Sequence, residues 1–241
     1  MIIRMIIPTT MFRDNPMDSA ALYRLMAWLS PSYPVGAFSY SQGLEWLVET
    51  GELCDCDTMV AWISDLVAQG SGRNDAILLA QAWRAAQAGD RHALDDINAL
   101  GCAFVAGAER QLETTAQGTA FADITTRTWD APTLAALAQN STRVAYPVAV
   151  GVAAADHAIA LGDVIEAYLH AFAANLVSAG LRLVPLGQTD GQRAMIALEK
   201  VLRTTAEAAR EAGLDALGGS VFRADMASLH HETQYTRLFR T

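Results

Sequence analysis

The chain is short of charge. Only 18% of its 241 residues are acidic or basic, while 52% are hydrophobic, and globular chains usually carry about 25% charged residues. Such a balance implies an unusually large core, apolar surface buried against other subunits, or both. The charge that remains leans acidic, with a net −9 and an isoelectric point near 4.9. No basic cluster interrupts it, so phosphate backbones find no electrostatic footprint and nucleic acid is not expected as a partner. Cysteine is scarce as well. Cys54, Cys56 and Cys102 are three in number, which implies no disulfide framework. No stretch reaches the ~18 consecutive apolar residues of a membrane helix. The nearest, Val144 to Ala155, includes Pro147 and Gly151 and reads as a buried core helix. The opening "MIIRMIIP" is too short for a signal core and lacks a small-residue cleavage site. These absences predict a cytoplasmic protein with no membrane association.

Strands are missing from the pattern too. No alternation of useful length, no internal repeat and no linker-like shift in composition breaks the chain. Helical periodicity fills it instead. Leu22, Leu25, Met26 and Leu29 form one apolar stripe, which ends at Ser30-Pro31. A second helix begins near Ser41 and ends at Gly51. A third is capped by Asp57, and a fourth spans 75–88, closed by Gly89, with Asp90 capping the next. Residues 163–184 are apolar on nearly every face, which predicts the central buried helix with His170 hydrogen-bonded inside it. An amphipathic helix follows over 193–212. The fold predicted is all-α, a single helical bundle over 19–225, with a flexible N-terminal segment over 1–18 and a C-terminal tail over 226–241.

Charge is absent again where it matters most. The twenty positions between Arg24 and Glu45 hold no acid or base, only aromatics, hydroxyls, prolines and glycines. A catalytic loop is one reading. However, Gly36 and Gly43 flank Ser39 and Ser41 at the wrong spacing for a nucleophile elbow, and a phosphate-binding loop would need a lysine. Cys54 and Cys56 could offer two thiolates to a soft metal, but a closed tetrahedral site needs four ligands. A helix start with packed thiols explains them as well. His230 and His231 are neighbours, which point about 100° apart on a helix and do not chelate together. Asp95 and Asp96 read as solvated helix surface. No catalytic constellation emerges.

The end of the chain, "HHETQYTRLFRT", gathers Tyr235, Arg237, Leu238, Phe239 and Arg240, the composition of a binding hot spot. A tail packed on its own domain is the other reading.

Four stretches in order resemble the urease accessory protein UreF family. They are Ser30-Pro31 through Pro34-Val35-Gly36, Phe38-Ser39-Tyr40-Ser41 and Gly43-Leu44-Glu45; "ERQLETTAQG" from Glu109; "NLVSAGLRLVPLGQTDGQ" from Asn175; and His231-Glu232 to Arg240. The resemblance covers about Ala20 to Thr241. Thr236 and Thr241 depart from a common serine, and the Cys-x-Cys has no family role. The resemblance implies a non-enzymatic dimer that joins UreD (also called UreH) and the GTPase UreG to insert nickel into apo-urease, with no cofactor or metal site of its own.

Contact with partners is then expected from Pro34, Val35, Gly36, Phe38, Ser39, Tyr40, Gly43 and Glu45, and from Tyr235, Arg237, Leu238, Phe239 and Arg240. Phe38 and Phe239 would be anchors in pockets. Deleting residues 230–241 should leave melting nearly unchanged but abolish binding to UreD. Self-association is expected through Arg182, Gly187, Gln188 and Gln192. Arg110 could act on UreG as an arginine finger, but Glu113 at i+3 favours a structural ion pair. An all-helical enzyme on a small apolar substrate and a stand-alone nickel-binding protein remain open alternatives.

Overall fold

A computed structural model describes residues 18–240, and every regular element among them is helical. The N-terminal segment expected over 1–18 lies outside the described residues except for Asp18. Helix α1 (Ser19–Trp28) is followed by an irregular loop with one short helical turn at Ala37–Ser39, and then by α2 (Leu44–Glu49). The middle of the chain forms α3 (Cys56–Gln69), α4 (Ser71–Ala88), α5 (Arg91–Ala103), α6 (Ala108–Thr128) and α7 (Pro132–Asn140). The last third forms α8 (Tyr146–Asp156), α9 (Leu161–Leu183), α10 (Gln188–Glu211) and α11 (Phe222–His231).

The centre of the bundle is α8, not α9 as the pattern predicts. All residues from Pro147 to Ala155 are buried, with α4 and α6 packed along it. Small side chains permit this: Ala76 and Ala80 of α4 and Ala149 and Ala153 of α8 have no exposed surface. At Gly118 of α6, a Cβ would lie 2.0 Å from the Val144 carbonyl oxygen, so only glycine lets α6 come this close to the start of α8.

Helix α9 is the one described helix long and apolar enough to cross a membrane, yet half of its most apolar window is buried within the bundle. It packs on α10, α4 and α3. Its other side, including His170, faces outward, so His170 is exposed rather than buried. The apolar run misleads because only four of its positions, Glu166, His170, Ser178 and Arg182, are exposed, and half-buried alanines and Asn175 lie between them.

Local chemistry shifts several boundaries. Asp55, not Asp57, caps α3. Its carboxylate accepts the Thr58 N–H at 2.8 Å, and the Thr58 hydroxyl answers at the Asp55 N–H. Helix α4 begins four residues earlier than expected, and α10 begins at Gln188 because the Asp190 carboxylate accepts the Gly187 N–H. Leu22 and Met26 point outward; the buried face of α1 is Ala21, Leu25 and Trp28. The division expected at 225/226 falls inside α11.

Candidate functional site

The four sequence stretches, far apart along the chain, meet at one joint. The loop before α2 turns at Gly36, and then at Gln42 and Gly43, all with positive φ. Gly43 has φ +79°, and a Cβ there would sit 2.9 Å from the Ala227 Cβ, so glycine both makes the turn and admits α11. This turn places Glu45 at the first turn of α2 with only 6% of its surface exposed. A carboxylate so placed needs donors. The tail supplies them: the N–H groups of Leu238 and Phe239 donate to its two oxygens at 2.7 and 2.9 Å.

His231, fully buried at the end of α11, lies between two carboxylates. Its Nδ1 is 2.7 Å from Glu109 and its Nε2 is 3.2 Å from Glu45. Carboxylates only accept, so both contacts form when both ring nitrogens carry hydrogen. Arg237 donates to the second Glu109 oxygen at 2.6 Å. Glu232 accepts the Ala108 and Glu109 N–H groups, capping α6 from a position 124 residues downstream. The Arg240 N–H donates to the Ser39 carbonyl at 2.8 Å. From α9, Asn175 donates to the Ala37 carbonyl and Arg182 to the Phe38 carbonyl, both at 2.9 Å. The Arg182 guanidinium also lies 4.4 Å over the Phe239 ring.

These contacts correct part of the expected contact surface. Glu45, Val35, Tyr40 and Phe239 are buried in the joint. Phe239 is an anchor, but in a pocket of its own chain. Gly43 packs on α11, and Ser39, Arg237 and Arg240 bond within the chain. Arg182 is engaged by the loop and the tail, while Gly187, Gln188 and Gln192 lie exposed at the start of α10. Phe38, the other expected anchor, is 64% exposed, although its ring also lines a cavity beneath its own loop. With Pro34, Tyr235 and Leu238 it is left facing outward.

Beneath the joint is a polar floor that periodicity does not reveal. Arg110 and Glu113 form the predicted ion pair, almost wholly buried. Gln42 and Gln117 donate to Glu113 at 3.2 and 3.3 Å. Asp75 accepts from the Tyr168 hydroxyl at 2.9 Å. Burial pushes the Asp75 carboxyl up to about 6, against the pull of Arg110. Burial and nearby Asp75 together hold the Tyr168 hydroxyl well above its ordinary value, and Tyr146 beside it is raised for the same reasons. For Arg110 burial works the other way, but Glu113 and Asp75 outweigh it and raise its pKa. The sequence signal for Glu45 was its place in a motif; for Asp75 and Tyr168 none stood out, because single polar residues on apolar helices look like surface.

The cysteines are free thiols. Cys56, at the start of α3, points its Sγ toward the Asp190 carbonyl at 3.6 Å, and burial raises its pKa. His230 stacks on Trp46, their ring centres 4.9 Å apart.

Comparison with known proteins identifies similar chains. The UreF family model matches residues 53–199. The chain is 54% identical to the urease accessory protein UreF of Bradyrhizobium diazoefficiens over 93% of both chains. It is also 54% identical to that of Rhodopseudomonas palustris strain BisA53, over 92% of this chain and 94% of the relative.

Proposed function

Since the chain belongs to the UreF family of urease accessory proteins and so has a role in urease maturation, we propose that it acts there as a non-catalytic assembly factor. In this reading it joins UreD and the GTPase UreG in the cytoplasm, as a homodimer, and the assembly inserts nickel, its cargo, into apo-urease under the control of GTP hydrolysis. The observation that carries the reading is the joint. Four separated stretches converge to hold the loop and the tail in one fixed arrangement, and the side chains facing outward from it are Phe38, Tyr235 and Leu238.

A rigid frame that presents exposed aromatic and aliphatic side chains lowers the ordering cost of binding a protein partner. Control of UreG would be conformational, because Arg110 is held by Glu113 inside the bundle and cannot reach a nucleotide on another chain. The test is co-purification from cells that express the urease operon. UreD and UreG should be retained by the tagged chain, and urease should stay nickel-free when it is deleted. Recovery of the chain alone, with urease fully active in its absence, would refute the proposal.

A further inference from the structure

Behind the joint is a chamber of about 290 Å³ that the assembly role leaves without a purpose. It lies at the small end of ligand pockets, which run about 300–1,000 Å³. The loop from Leu29 to Phe38 roofs it, the outward side of α9 walls it, and α4, α6 and α8 form its floor. Five aromatic rings line it, those of Tyr33, Phe38, Tyr146, Tyr168 and Phe172.

Its charge does not balance. Asp75 and Glu113 face the chamber, and Arg110 is the only lysine or arginine among its lining residues. That guanidinium is bonded to Glu113. Asp75 receives a neutral hydroxyl and feels Arg110 only through space. An ionised carboxylate so enclosed is costly unless a positive group neutralises it, and aromatic faces favour the same sign of guest.

We propose that the chamber binds a small monovalent organic cation, an alkylammonium or guanidinium compound, with Asp75 as its counter-charge and the aromatic rings as its walls. A metal ion fits less well. Among the described residues no three His, Cys, Asp or Glu side chains are grouped to hold one, and divalent ions demand several oxygen or nitrogen ligands at once. A neutral guest would leave the Asp75 charge uncompensated.

The test is calorimetric titration of the purified full chain with butylammonium and butylguanidinium, with butyramide as the uncharged control and Ni²⁺ as the metal control. Saturable binding of both cations at millimolar concentration is expected, with none of the amide. Affinity should fall at least tenfold in Asp75→Asn, and equally in the natural chain between pH 7.5 and pH 5, as Asp75 takes up a proton. His170 is the other lining side chain able to change charge in this range, so the pH series is repeated with His170→Gln, and a fall that persists there is assigned to Asp75 even if Asp75→Asn does not fold. Equal binding of butyramide, an affinity independent of both Asp75 and pH, Ni²⁺ displacing the cations from the chamber, or no saturable binding would each overturn the proposal.

Discussion

In an unfolded chain the Asp75 carboxyl titrates near 3.8; folding lifts it to about 6 by burial. The stability this group contributes is therefore complete below pH 3.8 and is lost as pH rises through 6, where the folded state must carry a poorly solvated charge. The loss is about 3 kcal/mol at most, from roughly two pKa units. Asp75→Asn should melt higher than the natural chain at pH 8 and close to it at pH 4, read by scanning calorimetry. A lower melting point at pH 8 would mean that attraction to Arg110 outweighs burial. Arg110 makes the converse case. Replacing it by alanine strands Glu113 and Asp75 together, a cost of about 3–5 kcal/mol for breaking a buried pair. Melting of Arg110→Ala should drop sharply, while GTP turnover per assembled UreG complex changes far less than the roughly 10³–10⁵-fold of a lost finger. This pair was legible in the sequence, because i and i+3 on one helix must be neighbours. His231 and Glu45 were not, since 186 positions separate them and only the fold brings them together.

Among the elements, the C-terminal segment behaves least as its sequence suggests. Tyr, Arg, Leu and Phe at a chain end have a hot-spot composition, but the same side chains serve an internal contact, and composition cannot tell the two apart. Here Leu238 and Phe239 bond Glu45 through their backbone, which no side-chain pattern records. Removing residues 231–241 takes away both donors to Glu45, the His231 contact and the Glu232 cap of α6. Each buried polar group left without its partner costs about 1–3 kcal/mol. The truncated chain should therefore lose several degrees or more in melting temperature, in contrast to the neutral effect that a free tail predicts. Circular dichroism melts of the two chains measure this, and coincident curves would show the joint to be energetically idle. The ends of α4 and α10 and the burial of α8 were legible in the sequence, but α4 and α10 start four and five residues before the expected 75 and 193. The burial of α9 was overestimated because its exposed polar positions, Glu166, His170, Ser178 and Arg182, are few and widely spaced among half-buried small side chains.

For the whole molecule, low charge and high apolar content are absorbed mainly by the alanine-rich α4–α8 core, yet several large apolar side chains remain outside. Phe38, Tyr235 and Leu238 are the outward set at the joint. Changing all three to serine should leave the melting temperature within about 6 °C, since exposed substitutions rarely exceed about 0.5 kcal/mol each. Retention of UreD on the tagged triple variant should fall at least tenfold. Undiminished retention would move the contact surface elsewhere, to the exposed faces of α1 or α10, where Met26 and Ile196 also point outward.

The Glu45 contact with Phe239 spans 194 positions of sequence, and this has a consequence for the time of synthesis. A ribosome adding about 5–20 residues per second needs about 10–40 s to travel from one to the other. Throughout that interval the emerging α2 lacks the donors for its carboxylate, and for most of it α6 lacks its downstream cap. Native pairing is completed only once residues 238 and 239 have cleared the exit tunnel. A nascent chain stalled or cut anywhere before residue 238 would therefore leave the ribosome with its joint open, and holding chaperones should engage it longer than they engage the finished protein.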